Sequence, residues 1–231
     1  MAAAHRHPYS APVLPADRLL EIDAKIARAA AKSGRNAAEV TLIAVSKTYN
    51  AAAILPFIDA RHTAFGENRV AEAASKWPPL RRDGTKLALH LVGQLQSNKA
   101  ADAAALFDAI HSLDRSSLVQ ALARVRDKGA RVPDCFVQVD LADEPQKGGC
   151  AVAALPALLT EARAEGLPVV GLMCVPPNGR EPAPWFAFLA KLAADHGLTQ
   201  LSMGMSGDFE SAIALGSTHV RVGTALFGSR E

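Results

Sequence analysis

An apolar run, Thr41-Leu-Ile-Ala-Val-Ser-Lys47, has the composition of a buried β-strand and ends in a lysine. Turn and helix signals follow it directly. In α/β barrels the chemistry lies at the carboxyl ends of parallel strands, which is where this strand would place the Lys47 amine. The run therefore predicts both a strand of a parallel sheet and a functional lysine at the rim of that sheet.

Beyond this run, strand-like and helix-like segments alternate along the chain. The predicted strands cover residues 41–46, 63–65, 87–92, 107–111, 135–140, 169–173, 200–202 and 219–222. The predicted helices cover residues 17–32, 51–60, 68–77, 97–106, 114–128, 151–165, 185–196 and 207–215. Asp114 and Ser206 are expected to act as N-caps of the helices that begin beside them. The pattern amounts to eight strands in alternation with helices, with an extra helix, 17–32, ahead of the first strand.

The predicted strands are almost entirely apolar, so both of their faces must be covered. That is the pattern of a parallel sheet with helices outside it, and eight units within about 200 residues fit a closed (β/α)8 barrel, the TIM barrel. An open doubly wound sheet is the alternative, although no Gly-x-Gly-x-x-Gly follows an early strand. We therefore predict an α/β fold with one barrel domain over 16–231 and a flexible leader over 1–15.

The composition argues against several classes of protein. With 231 residues, 49% of them hydrophobic, and a net charge of +2, the chain has ample core and no strongly basic surface for nucleic acid. Three widely spaced cysteines indicate neither a disulfide framework nor a metal site, so a cytoplasmic protein is expected. No segment has the length and apolar character of a signal peptide or a membrane span. His90 and His111 lack metal-ligand spacing, so hydrogen-bonded barrel histidines and no metal are expected.

Near the C-terminus, two stretches resemble phosphate-binding loops, Ser202-Met-Gly-Met-Ser-Gly-Asp208 and Val222-Gly-Thr-Ala225. Barrel closure places the first strand beside the last, so Lys47 becomes a neighbour of these loops. An amine that can form an imine, opposite a phosphate site, indicates pyridoxal phosphate. Two other functions remain open. One is an aldolase-like barrel in which Lys47 attacks a sugar-phosphate carbonyl, and the other is a barrel that only binds a protein partner.

Seven motifs of this sequence resemble those of the pyridoxal phosphate homeostasis proteins. They are Ala44-Val-Ser-Lys-Thr48, Phe65-Gly-Glu-Asn68, His90-Leu-Val-Gly-Gln-Leu-Gln-Ser-Asn-Lys99, His111-Ser-Leu-Asp114, Gly171-Leu-Met-Cys174, Leu201-Ser-Met-Gly-Met-Ser206 and Val220-Arg-Val-Gly-Thr224. The resemblance extends over nearly the whole chain. It implies a barrel like the N-terminal domain of alanine racemase, of the PLP-binding fold type III, with pyridoxal 5'-phosphate (PLP) held as an imine and no established turnover.

The resemblance also implies a cofactor site with no catalytic residues. In this site Lys47 matches the imine-forming lysine, and Asn68 matches a polar residue near the cofactor. Apart from the resemblance, Lys99 is the next candidate if Lys47 does not form the imine, because its segment opens the helix after the third strand. Arg221 matches the residue that faces the pyridine nitrogen. A guanidinium cannot accept the pyridine proton, so this partner leaves the nitrogen unprotonated and the cofactor a weak electron sink. Arg69 departs from the family pattern, which often has tyrosine there.

The remaining matches concern the phosphate and the wall of the site. Ser206, Gly223 and Thr224 match phosphate contacts, and Ser202 and Met203 match a short stretch that lines the wall. Glycine at 223 would let the backbone approach a ligand closely because it has no Cβ. The resemblance thus implies a phosphate site built mainly from the loops after the last two strands.

Carrier and enzyme are both compatible with these motifs. Three residues follow Gly228, so we expect no room for the β-domain that supplies a second catalytic base in alanine racemases. We therefore expect a non-enzymatic protein that binds PLP reversibly for intracellular PLP homeostasis and passes it to apoenzymes that require it. A single-domain amino-acid racemase or lyase is the alternative.

The loop after the fifth strand contains three charged residues, Asp140, Glu144 and Lys147. They either gate the site or form only a polar surface. The absence of a markedly apolar helix face favours a monomer.

Overall fold

The strands are short, and most of their residues are buried. The computed structural model describes residues 14–81, 86–144 and 147–228. In these ranges the strands are β1 Thr41–Val45, β2 Ala64–Glu67, β3 Ala88–Leu91, β4 Ala109–Leu113, β5 Asp134–Asp140, β6 Cys150–Ala151, β7 Val169–Met173, β8 Gln200–Met205 and β9 His219–Val222. All of their pairings are parallel.

The sheet closes on itself between the first strand and the last. The strand order is β4-β3-β2-β1-β9-β8-β7-β5, and a further pairing of β4 with β5 completes the ring. In the β1–β9 pair, Thr41 lies opposite His219 and Ala44 opposite Val222. β6 pairs only with β5 and stands outside the ring of eight. The predicted barrel is confirmed, and the open doubly wound alternative is excluded.

Helices surround the barrel. Over the described residues they are α1 Pro15–Lys32, α2 Ala51–Asp59, α3 Val70–Lys76, α4 Ala100–Leu106, α5 Ser116–Asp127, α6 Leu155–Ala164, α7 Ala183–Asp195, α8 Phe209–Ala214 and α9 Thr224–Phe227. α1 is the predicted extra helix, and it packs its buried face against α2, α8 and α9. It begins at Pro15, two residues earlier than predicted, because proline is favoured in the first helical turn. Of the predicted leader, residues 1–13 lie outside the described ranges.

Two predicted helix caps are wrong. α5 begins at Ser116 with Arg115 in the N-cap position, and Asp114 instead accepts a hydrogen bond from Arg115 at 2.6 Å. α8 begins at Phe209 with Asp208 in the N-cap position, because β8 continues to Met205 and needs a turn before the helix. Ser206 lies in that turn, where its hydroxyl accepts a hydrogen bond from the Gly223 amide at 3.4 Å.

Three other segments differ from the prediction in the kind of element that they form. The segment 97–106 divides into a 3-10 turn, Ser97–Lys99, followed by α4. The predicted helix 151–165 starts with β6 and a 3-10 turn before α6, which has Pro156 in its first turn as expected. The short helix α9 was not predicted, because four residues are too few to show helical periodicity.

No helix in the described parts of the chain combines the length and the apolar character needed to cross a bilayer.

Gly171 is a point where the packing of two strands leaves no room for a side chain. A Cβ at this position in β7 would lie 2.1 Å from the Gln200 carbonyl oxygen of β8. We expect Gly171→Ala to lower the free energy of unfolding by about 3 kcal/mol or more, because backbone must move to relieve the overlap. Urea denaturation measures the change in the free energy of unfolding. Gly207→Ala, where a Cβ meets nothing within 4 Å, serves as the control. Equal stability of the two variants would contradict the close packing of β7 on β8.

Candidate functional site

A cavity of about 440 Å³ opens at the C-terminal mouth of the barrel. Its lining combines polar residues from the ends of several strands with three valines. The lining residues are Val45, Lys47, Tyr49, Asn68, Val92, Val175, Met205, Ser206, Gly207, Arg221, Gly223 and Thr224. Six of the eight predicted site residues are among them. The structure therefore brings together residues that lie as far apart in sequence as Lys47 and Thr224.

Two predicted site residues do not line this cavity. Ser202 and Met203 are fully buried in β8, where successive side chains point to opposite faces of the strand. The Ser202 side chain lies in the barrel interior, in contact with Arg221, whereas Met203 belongs to the hydrophobic core between the strands and the helices. The cavity wall is formed instead by Met205 and by Val45, Val92 and Val175, which follow or end other strands.

Lys47 lies in a tight turn that follows β1. The Tyr49 amide donates to the Ser46 carbonyl at 3.1 Å, which closes the turn around Lys47 and Thr48. Thr48 has a φ of +68°, the left-handed region that costs a non-glycine residue about 1–2 kcal/mol. Such a conformation persists only where the surroundings hold it, and it is found most often at functional sites.

Tyr49 joins this turn to the end of the chain. Its hydroxyl donates to the Gly228 carbonyl at 2.9 Å, and its ring stacks on Phe227 of α9 with centroids 4.7 Å apart. Tyr49 was not predicted as a site residue, because a tyrosine two residues after a lysine carries no motif of its own. Its contacts fix the lysine turn relative to the segment that begins at Gly223.

Opposite the lysine turn, the loop after β8 meets the start of α9. Ser206 contacts the Gly223 amide across this gap, and Thr224 is exposed at the cavity. The first amides of a helix have no intrahelical acceptors, which in α9 leaves those of Thr224 and Ala225 for a ligand, because the Leu226 amide donates to the Gly223 carbonyl. Hydroxyl and amide donors that converge in this way suit a phosphate or another small anion.

Arg221 forms the buried floor of the cavity. Its Nη1 donates to both the carbonyl and the hydroxyl oxygen of Ser202 at 2.7 Å, and its Nη2 donates to the Cys174 carbonyl at 2.9 Å. A guanidinium has five N–H donors, so these three bonds leave donors for a ligand in the cavity. Burial lowers the pKa of Arg221 from its ordinary value, which is so high that the group stays charged.

The contacts of Arg221 fix a chain of hydrogen bonds through the barrel interior. Because arginine only donates, the Ser202 hydroxyl accepts from it and turns its own proton to His111 Nδ1, 2.8 Å away. His111 must then carry its proton on Nε2, which donates to His90 Nδ1 at 3.0 Å. His90 and His111 are hydrogen-bonded barrel residues, as predicted. No group of three or more potential metal-binding side chains occurs among the residues that the structure describes.

The barrel histidines stay neutral at physiological pH. Burial, with a smaller opposing effect of Asp108, lowers the pKa of His90 to about 4. Burial and the nearby His90 and Arg221 lower the pKa of His219 to about 3, and burial holds the pKa of His111 well below its usual range. Neutral histidines can hold Arg221 in place without changing their charge over the physiological range.

We expect these histidines to make the fold sensitive to acid. The unfolded chain protonates them near pH 6.5, whereas the folded protein keeps His90 neutral down to about pH 4. The unfolded state therefore binds more protons in this window, and the free energy of unfolding falls as the pH drops from about 6.5 to about 4, by on the order of 3 kcal/mol for one such histidine. Urea unfolding at several pH values measures the fall, and His219→Gln should make it shallower. A flat profile between pH 7 and pH 4 would contradict the neutral cluster.

Comparison with known proteins connects this site to a family. Residues 19–231 match the family model described as alanine racemase, N-terminal domain. A pyridoxal phosphate homeostasis protein of Pseudomonas aeruginosa is 40% identical over 222 residues, which cover 94% of this chain and 96% of that relative. The protein of the same name from Escherichia coli K12 is 38% identical over 226 residues, with 94% and 97% covered.

Solved structures show the same relationship. The structure of PipY from Synechococcus elongatus PCC7942 with PLP bound has a TM-score of 0.80 and 39% identity, and the match covers 93% of this chain and all of PipY. PipY without PLP gives a TM-score of 0.83. An alanine racemase of Clostridium difficile 630 shares the fold at 14% identity with a TM-score of 0.67, and the match covers 91% of this chain and 57% of the racemase.

Proposed function

Because this chain belongs to the alanine racemase N-terminal domain family, and within it to the pyridoxal phosphate homeostasis proteins, we propose that it binds PLP and holds it covalently on Lys47 as part of PLP homeostasis. PLP binding and the homeostasis role follow from relatives of that name and from the PLP-bound structure of PipY. The covalent attachment to Lys47 and the contacts of the other site residues are proposed from the geometry of the cavity.

A single observation carries the assignment of contacts: three chemically distinct groups surround one cavity. They are a lysine amine, a set of hydroxyl and amide donors at Ser206, Gly223 and Thr224, and the buried Arg221 guanidinium. PLP has three matching parts, an aldehyde, a phosphate and a pyridine nitrogen. The size of the cavity, about 440 Å³, lies within the range usual for small-molecule sites.

Lys47 would hold the ligand covalently. Its amine adds to the aldehyde carbon, and loss of water leaves a carbon–nitrogen double bond, so no oxidant or reductant is needed. Bound PLP supplies an electrophilic carbon and a conjugated ring that can accept electrons. The turn around Lys47 and Thr48 fixes the backbone from which the amine extends, and Asn68 would add a polar contact near it.

Arg221 would favour holding the ligand over turning over a substrate. Its donors can bond to the pyridine nitrogen, but a guanidinium has no acceptor and cannot take a proton from the ring. The nitrogen then stays unprotonated, which makes the ring a weaker electron sink than one held by a carboxylate. Neutral histidines behind Arg221 keep its charge and orientation constant with pH. We therefore propose a carrier without catalytic turnover, which acts as a cytoplasmic monomer and passes PLP to apoenzymes.

Visible absorbance tests this function. Protein mixed with PLP should show a yellow band that disappears on reduction with borohydride, and it should reactivate a PLP-requiring apoenzyme when the two are mixed. Incubation with alanine in heavy water should exchange no α-proton. A colourless protein would contradict PLP binding, whereas rapid exchange would show an enzyme of the racemase or lyase class. Size-exclusion chromatography tests the monomer.

A further inference from the structure

A second lysine lies beside the Lys47 turn but does not line the cavity. Lys76 is the last residue of α3, and its side chain is only 7% exposed. A buried ammonium is costly unless hydrogen-bond partners and opposite charges surround it. The function proposed above makes no use of Lys76, so the contacts that retain a charge at this position need an explanation.

Lys76 bridges the two ends of the turn that contains Lys47. Its Nζ donates to the Ser46 carbonyl at 2.9 Å and to the Tyr49 carbonyl at 3.0 Å. Ser46 and Tyr49 are the first and last residues of the turn, with Lys47 and Thr48 between them. A single ammonium therefore fixes the distance between the Ser46 and Tyr49 carbonyls, which lie at the two ends of the turn that carries Lys47.

Two carboxylates complete this bridge. Glu72, one turn earlier in α3, accepts from the third N–H of Lys76 at 3.0 Å and from the Thr48 amide at 2.5 Å. Glu67, fully buried at the end of β2, lies 2.8 Å from Lys76 Nζ and accepts from the Ser46 hydroxyl at 2.7 Å. Lys76, Glu67 and Glu72, which we call the turn clamp, thus contact the backbone or hydroxyl groups of Ser46, Thr48 and Tyr49.

The clamp explains how the turn keeps an unfavourable backbone conformation. Thr48 has a positive φ, and its amide is held by Glu72 while the carbonyls on either side of the Lys47–Thr48 pair are held by Lys76. An apolar residue at 76 could fill the same space, but it could not bond to two carbonyls at once. The charge is retained because its donors are used on the turn.

We propose that Lys76 is a positioning residue for the Lys47 amine and sets how firmly the protein retains its aldehyde ligand. This inference rests on the proposed function, because it concerns the covalent bond between Lys47 and PLP. Without the clamp the turn can relax from the positive φ at Thr48. The amine then occupies the bonding position for a smaller fraction of the time, and the imine is lost more readily.

The effect of replacing Lys76, measured with and without Lys47, shows whether Lys76 positions the Lys47 amine or only supports the local packing. In the wild-type background, Lys76→Met should increase the rate of PLP transfer to an excess of apoenzyme by about tenfold or more, because bonds from a charged donor are lost. In a Lys47→Ala background no imine forms, and the same substitution should change the rate of PLP transfer by less than about twofold, because the phosphate contacts are independent of the clamp. Equal effects in both backgrounds would show a purely structural role and overturn the inference.

Two further variants serve as controls for effects on folding. Lys191→Met removes an exposed lysine that is paired with Asp195 on α7, and it should leave PLP transfer unchanged. Glu72→Ala removes the acceptor of the Thr48 amide from a partly exposed position, so it should fold and accelerate transfer by about threefold. If Lys76→Met does not fold, the Glu72→Ala variant alone tests the role of the clamp. An unchanged rate of PLP transfer in the Glu72→Ala variant overturns the inference.

The imine on Lys47 and the role of the turn clamp can be tested separately. A wild-type protein that forms no imine with PLP overturns the proposed function and this inference with it. A wild-type imine that Lys76→Met and Glu72→Ala leave equally stable overturns only the role of the clamp.

Discussion

Lys47→Ala is expected to abolish the borohydride-sensitive absorbance band and to weaken PLP binding by at least about 100-fold, which corresponds to about 2.7 kcal/mol. The covalent bond is lost, while Ser206, Gly223 and Arg221 can still contact the ligand. The variant should fold normally, because the side chain extends into a cavity and its removal creates no buried void. Absorbance titration and equilibrium dialysis with PLP measure the two effects.

Lys99→Ala is the matched control for this prediction. Lys99 was the second candidate for the imine, and its side chain is half exposed in a 3-10 turn, paired with Asp102 at 3.3 Å. It does not line the cavity that contains Lys47. The control variant should keep the band and the affinity of the wild type. A Lys47→Ala protein that retained the band would assign the imine to another lysine.

Ser206→Asp is expected to lower the affinity for PLP by about 100-fold or more. The substitution places a carboxylate beside the donors that would hold the phosphate, and two like charges about 4 Å apart repel by about 4 kcal/mol at an effective dielectric constant of 20. Ser206 lies in the turn between β8 and α8 and is partly exposed, so the fold should tolerate the change. Isothermal titration with PLP, and separately with inorganic phosphate, measures the loss.

Two controls separate charge from local disruption. Ser206→Ala removes only the hydroxyl contact with Gly223 and should cost a few-fold in affinity. Thr160→Asp adds the same charge to an exposed position on α6 and should have no effect. If Ser206→Asp binds PLP as tightly as the wild type, the phosphate lies elsewhere and the orientation assigned to the ligand is wrong.

The barrel itself could be predicted from sequence because its signals are local and repeated. Apolar runs such as Thr41–Val45 and Val169–Met173 can only be strands covered on both faces, and eight of them in alternation with helices leave few topologies. Closure then followed from the fold type, and the pairing of Thr41 with His219 confirms it. The same closure brought Lys47 and Gly223 to one cavity.

The errors arose where a side chain has other partners, or points to another face, than its sequence position indicated. Ser206 and Asp114 are good cap residues, yet each uses its side chain on a neighbouring loop or arginine. Ser202 and Met203 were assigned together to the cavity wall, but adjacent residues of a strand point to opposite faces, and neither lines the cavity. The role of Lys76 could not be foreseen, because its partners Ser46 and Tyr49 lie about thirty residues away in sequence.

The central claim is that the Lys47 amine, at the end of β1, bonds to the aldehyde of a ligand whose phosphate lies beside the start of α9. Reduction of the PLP-loaded protein with borohydride, followed by mass mapping of its peptides, tests this most directly. The account predicts a phosphopyridoxyl group on the peptide that contains Lys47 and on no other. A protein without this group, or with the group on Lys99 or Lys147 instead, would contradict it.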